Sequence, residues 1–197
     1  GFGTGSNHIE TTVGTLSAEV GSGGLFVTEG DGVVVDTVAA VTVNRVKTDG
    51  TVAGSTVTDG ALNDVTTSSN GSVVLVSTLG DIVLKDGSDG DAKVVDVNGS
   101  GAIRLDAVVG AVDIQSGVST GTGHISVLAG TTLSQSTGAS DISTVGGTVD
   151  VKAGTGISMV DGALTSSGGG NVRYESVTGD ITLGEIDEVV TLMGTIG

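Results

Sequence analysis

The chain has 197 residues, 36 of them Gly and none Pro or Cys, and a formal net charge of −16 from 7 Lys+Arg against 23 Asp+Glu. This excludes a collagen, a disulfide scaffold and thiolate chemistry, and it argues against nucleic acid or an anionic membrane as partner. Hydrophobic residues make up 37%, enough for a sizeable core, so a disordered chain is not expected.

The chain opens Gly1-Phe2-Gly3-Thr4-Gly5, with no signal peptide and no initiator methionine. That start is expected of a processed product or an excerpt. Residues 1–23 read as an N-terminal segment suited to contacts between subunits or modules. No apolar run approaches the ~18 residues of a membrane-spanning helix, and no membrane insertion is expected. From residue 24 onward helical patterning is nearly absent, because interior glycines recur and each costs a helix about 1 kcal/mol. β-branched residues alternate with polar ones, the period-two signature of strands with one buried face. Strands are predicted at 25–28, 33–36, 41–46 and 61–65, with 48–60 an extruded loop.

From residue 71 one form recurs: Gly, a small or polar residue, Val or Ile, any residue, then an apolar one. It reads Gly71-Ser-Val-Val-Leu75, Gly80-Asp-Ile-Val-Leu84, Gly101-Ala-Ile-Arg-Leu105 and Gly110-Ala-Val-Asp-Ile114. It continues as Gly123-His-Ile-Ser-Val127, Gly147-Thr-Val-Asp-Val151, Gly170-Asn-Val-Arg-Tyr174 and Gly179-Asp-Ile-Thr-Leu183. The third and fifth positions face one way and the fourth the other. Gly80, Gly101, Gly123, Gly147 and Gly170 step by about 21 to 24 residues, within the solenoid range. The expected fold is all-β: a right-handed parallel β-helix of about 22 residues per coil, spanning 24–184, with coils ~4.8 Å apart. A missing proline fits, since proline removes a ladder donor. A two-sheet sandwich also fits strands spaced every 8 to 12 residues. The long recurrence weighs against it, as does the scarcity of tight hairpin signals, of which Asn70-Gly71 is the one noted. Residues 185–197 read as a C-terminal segment leading into a next module or subunit. Thr11-Thr-Val-Gly-Thr-Leu16 matches Thr191-Leu-Met-Gly-Thr-Ile196, which hints at one module of a tandem chain or of a polymer.

The strings Ser22-Gly-Gly-Leu-Phe-Val-Thr28, Val41-Thr-Val-Asn-Arg-Val46, Gly147-Thr-Val-Asp-Val-Lys-Ala153 and Gly179-Asp-Ile-Thr-Leu183 resemble the giant repetitive bacterial surface proteins of β-strand-repeat, filamentous-haemagglutinin-like type. The resemblance covers about residues 25–187 and rests on motifs of low complexity. It implies secretion, a right-handed parallel β-helix, and roles in adhesion, surface coats or extracellular matrix. No secretion domain or anchor of that family is recognisable in the sequence.

An enzyme is not expected. Polysaccharide-active β-helices want stacked carboxylates, basic residues for an anionic sugar and aromatic platforms. Here Arg45, Lys47, Lys85, Lys93, Arg104, Lys152 and Arg173 are scattered, and Phe2, Phe26 and Tyr174 are the only aromatic residues of the Phe, Tyr and Trp types. Arg104 and Arg173 share the outward fourth motif position. His8 and His124 read as surface histidines, with no zinc spacing. The densest acidic loop, Asp86-Gly-Ser-Asp-Gly-Asp91, makes Asp86, Asp89 and Asp91 a candidate weak Ca²⁺ site, set against the plainer reading of a solvated turn. Its spacing matches neither an EF-hand nor the calcium-binding β-roll nonapeptide. Glu29-Gly-Asp-Gly32 and Glu185, Asp187 and Glu188 are weaker versions of the same idea. No other cofactor is expected. The function expected is an extracellular structural unit of a surface filament, coat or matrix, stacking head to tail with copies of itself. The alternative is a stalk or binding segment of a giant secreted adhesin that meets cell-surface or matrix ligands, with 48–60 and 86–91 as its contact loops.

Overall fold

The computed structural model describes residues 1–187 and 190–194. Among them there is no helix, and 24 strands are arranged as three long parallel walls and one two-stranded arm. The first wall has eight strands: β1 (Ile9–Thr11), β4 (Leu25–Glu29), β9 (Val73–Ser77), β12 (Ile103–Ala107), β15 (Ile125–Ala129), β18 (Val149–Ala153), β21 (Val172–Ser176) and β24 (Val190–Met193). The second has seven: β2 (Thr15–Leu16), β5 (Val33–Val35), β10 (Ile82–Leu84), β13 (Val112–Ile114), β16 (Thr132–Gln135), β19 (Gly156–Met159) and β22 (Ile181–Thr182). The third also has seven: β3 (Ala18–Val20), β8 (Val65–Thr67), β11 (Lys93–Val97), β14 (Gly117–Thr120), β17 (Ile142–Thr144), β20 (Leu164–Ser166) and β23 (Glu185–Asp187). The chain visits the walls in strict rotation, each strand pairing in parallel with its counterpart one coil away. The protein is a parallel β-helix, and the sandwich is excluded because every wall pairing is parallel and non-consecutive. The same walls include strands on either side of 24–184, from β1 to β3 at one end and at β23 and β24 at the other.

Coil length is uniform only in the later half. Ile103 pairs with Ile125, Ile125 with Val149 and Val149 with Val172, steps of 22, 24 and 23 residues. Val73 pairs with Ile103, a step of 30, and Leu25 with Val73, a step of 48. Gly80 therefore does not belong in one series with Gly101; it opens a second-wall strand, and Gly71 is the coil equivalent of Gly101. The surplus lies at one corner, between the second and third walls. Gln115 and Ser116 alone bridge that corner from β13 to β14, whereas residues 85–92 bridge β10 to β11 and residues 36–64 bridge β5 to β8.

Residues 36–64 correct two expectations. Val41–Val46 is not a wall strand, and 48–60 is not a loop: they form an antiparallel arm of β6 (Val41–Val46) and β7 (Val52–Asp59). Its neck is closed by the paired backbones of Val38 and Leu62. At its tip the Gly50 N–H bonds the Lys47 carbonyl at 3.0 Å with Gly50 at φ 80°, and Asp49 Oδ1 accepts the Thr51 amide at 2.9 Å. Asp49-Gly50 is thus the turn signal, a tight turn closed by a left-handed glycine. Asn70-Gly71 is instead a wall corner, where Asn70 Oδ1 accepts the Ser100 amide of the next coil at 2.9 Å.

The core is the column of inward positions. In the first wall Leu25, Val73, Ile103, Ile125, Val149 and Val172 stack, beside Val27, Leu75, Leu105, Val127, Val151 and Tyr174, all buried. The third-wall column ends in hydroxyls that satisfy corner carbonyls: Thr120 Oγ1 donates to Gly101 O at 2.7 Å and Thr144 Oγ1 to Gly123 O at 2.8 Å. Where Ser77, Ala107, Ala129 and Ala153 line the first wall, the last position of β4 places Glu29, fully buried, directly beside Thr11 of the N-terminal coil. Its carboxylate accepts the Thr11 hydroxyl, the Val13 amide at 3.1 Å and its neighbour Gly30 amide at 3.0 Å. Burial pushes its pKa upward, but those hydrogen bonds win and hold it below the ordinary value of 4.5. A carboxylate depressed in this way stabilises the fold above its unfolded pKa and ceases to as pH falls through the folded one. The N-terminal coil, whose Thr11 and Val13 hold that carboxylate, is therefore expected to lose amide-exchange protection at 11–14 only as pH falls below the ordinary value of 4.5. In Glu29→Gln that protection is expected to be low already at pH 7 and flat with acid; an identical acid profile in wild type and variant would sink the assignment.

Candidate metal centre

The two insertions at the common corner meet. Asn63, just before β8, is the hub: its Oδ1 accepts the Thr37 hydroxyl at 2.8 Å and, from the 85–92 loop, the Ser88 amide at 3.2 Å and hydroxyl at 3.0 Å. Gly87 packs so close to Asn63 that a Cβ there would lie 2.5 Å from that of Asn63. The loop is shaped by two left-handed residues, Gly90 (φ 70°) and Ala92 (φ 61°), and by Asp91 Oδ1, which accepts the Lys93 amide at 2.9 Å. A bulge between Lys93 and Val95 then returns it to the wall.

This packing brings Asp64, Asp89 and Asp91 together, with one carboxylate oxygen from each lying within 4.8 Å of the others. Asp89 and Asp91 are exposed, as their loop predicts. Asp64 is 7% exposed, and its Oδ1 has no hydrogen-bond partner among the described residues. Burial, then the charges of Asp89 and Asp91, push the Asp64 pKa up to about 7. Ionising it therefore costs the fold stability as pH rises from the ordinary carboxylate range towards 7. Of the sequence candidates, Asp89 and Asp91 belong to the cluster. Asp86 stands beside it, its Oδ1 buried without a partner among the described residues, and its charge also acts on Asp64. Asp64 carried no signal in the sequence, since it becomes a neighbour only through the stacking of two insertions of unlike length.

The remaining candidates lie apart. Glu29 faces the core, and Glu185 and Asp187 sit on β23; Glu188 is outside the described residues. The outward charges of the first wall pair with each other. Arg173 bonds Asp150 at 2.8 Å and also Glu175, which Lys152 meets at 3.3 Å; Arg104 meets Asp106 at 2.5 Å. Tyr174 points into the lumen and is withdrawn from the surface. His124 is exposed, and its Nδ1 accepts the Thr148 amide at 3.0 Å. His8 Nδ1 meets the Thr28 hydroxyl at 2.9 Å. Comparison with protein-family models, with curated proteins and with solved structures finds no match to this chain.

Proposed function

We propose that this chain is an extracellular structural unit of a bacterial surface filament, coat or matrix, stacking head to tail through the ends of its β-helix. The observation that carries this is the state of the two ends. At the N-terminal end β1, β2 and β3 pair on one side only, and a largely apolar cavity of about 290 Å³ opens among Phe2, Ile9, Leu16, Ala18, Leu25 and Val27. At the other end, among the described residues, β22, β23 and β24 pair on one side only, and Leu192 and Met193 are 55% and 49% exposed. Unpaired parallel edges beside apolar surface are templates for further strands. A contact between unlike ends does not close on itself, so it propagates as a filament. The repeat of 11–16 at 191–196 does not set the register: the wall aligns Ile9 with Leu192, not with residue 189, and Thr195 and Ile196 lie outside the described residues. The acidic sides support the scheme by repelling sideways association.

Negative-stain microscopy of the purified 19.0 kDa chain is expected to show uniform thin filaments, and Leu192→Lys to reduce them to short rods. Short rods from the unsubstituted chain would reject stacking of free copies and leave a passive stalk.

The arm favours a second reading, a binding segment. Val41, Val43, Val46 and Val52 are each more than half exposed on a two-stranded ribbon, a form that is marginal in water by itself. Removing 41–59 is then expected to abolish adhesion to a surface ligand while leaving filaments intact.

A further inference from the structure

We propose that Asp64, Asp89 and Asp91 bind a Ca²⁺ ion that ties the base of the β6–β7 arm to the 85–92 loop of the next coil. Three carboxylates converge within 4.8 Å, and among the described residues no cationic side chain pairs with them. The lysines that flank the loop are engaged elsewhere, Lys85 with Asp36 at 3.8 Å and Lys93 with Asp96 at 2.8 Å. Convergence alone is common on acidic surfaces. What singles out this cluster is Asp64: more than nine-tenths buried, in the cluster, and with its Oδ1 lacking a hydrogen-bond partner among the described residues. A buried polar atom left without a partner is costly, more so when charged, so something outside the protein's own groups is expected to meet it.

The ligand chemistry is that of a hard divalent cation, all oxygen and anionic. A cavity of about 180 Å³ beside Asp64 and Asp89, walled also by Glu19, Asn63 and Thr66, has room for the waters that complete six or more oxygens. The irregular set, one rigid buried carboxylate with two from a loop, suits Ca²⁺, which tolerates uneven geometry, better than Mg²⁺, which demands an octahedron. The ion joins residues 25 and 27 positions apart, from two different coils, at the one corner where the fold departs from its regular length. Its occupancy would fix the direction in which the arm leaves the wall.

The test is calorimetric titration of the whole chain with Ca²⁺ in chelator-stripped buffer. One saturable site is expected, with a dissociation constant of roughly 10⁻⁵–10⁻³ M. Asp89→Asn, at an exposed position that does not endanger folding, is expected to weaken it about tenfold or more, and Asp64→Asn to abolish it. Asp150→Asn, in the paired surface network, is expected to leave it unchanged, and Mg²⁺ to bind more weakly. Ca²⁺ is also expected to protect the arm's neck from proteolysis. No saturable heat up to about 10 mM would overturn the proposal. So would a weak uptake lowered equally by Asp150→Asn and Asp89→Asn, which is counter-ion attraction to an acidic chain.

Discussion

Gly123→Ala is expected to unfold the protein or to cost more than about 4 kcal/mol, an exceptional loss for one methyl group. The cause is the coil spacing. Gly71, Gly101, Gly123, Gly147 and Gly170 stand one above another at the corner that leads into the first wall. A Cβ on any one from Gly101 to Gly170 would overlap the carbonyl oxygen of the glycine one coil below. The obstacle is backbone, not a side chain that turns aside, and the ladder holds that backbone at its ~4.8 Å spacing. Glycine serves here for closeness of approach, since Gly123 has no positive φ. Two other glycines separate the causes. Gly169 has φ 113° with open space around its would-be Cβ, so Gly169→Ala is expected to cost about 1–3 kcal/mol from backbone strain alone. Gly54, on the exposed arm, has open space and an ordinary φ, and Gly54→Ala is expected to change stability by less than about 0.5 kcal/mol. Urea unfolding of the three variants checks the order; a Gly123→Ala protein as stable as Gly54→Ala would show that coils separate freely at that corner.

The same column explains how much of the fold is legible in the sequence. Glycine followed by alternating Val, Ile and Leu marks the first and second walls, because the corners before both are tight and both bury alternate side chains. It marks them alike, which is why Gly80 falls into the wrong series. The third wall is nearly silent. Its strands, such as Val65–Thr67 and Ile142–Thr144, are short, lack the leading glycine and end in a hydroxyl turned inward. The arm is misread for a related reason: Val41-Thr-Val-Asn-Arg-Val46 alternates as a wall strand does, and alternation does not say what covers the apolar face. Of the candidate site, the loop carboxylates are legible as a dense acidic turn. Asp64 is not, because its place depends on which coil lies above which.

That last dependence raises a question of register, since apolar columns of Val, Ile and Leu are nearly alike from coil to coil. The lumen holds one feature that is not. Gln135 of the second wall, Thr165 of the third and Tyr174 of the first, from successive coils, meet inside it, all fully buried. Tyr174 Oη donates to Gln135 Oε1 at 2.9 Å and lies 2.7 Å from the Thr165 hydroxyl, while Gln135 Nε2 donates to the Ser140 carbonyl at 2.7 Å. Burial raises the Tyr174 pKa far above its ordinary value, so the phenol stays a donor throughout the working range of pH. Gln135→Met fits the column, whose neighbours are Ile114 and Met159, yet leaves the Ser140 carbonyl and one hydroxyl hydrogen without partners. It is expected to cost about 2–6 kcal/mol, the sum of two orphaned groups. Tyr174→Phe alone is expected to cost about 1–3 kcal/mol. The double variant removes the phenol together with its acceptor, so its loss is expected to fall short of the two single losses by about 1 kcal/mol or more. Strict additivity in urea unfolding would mean that the three groups act separately. With the coupling present, shifting the chain by one coil would strand all three polar groups among aliphatic side chains, a penalty that the valine and isoleucine columns cannot impose.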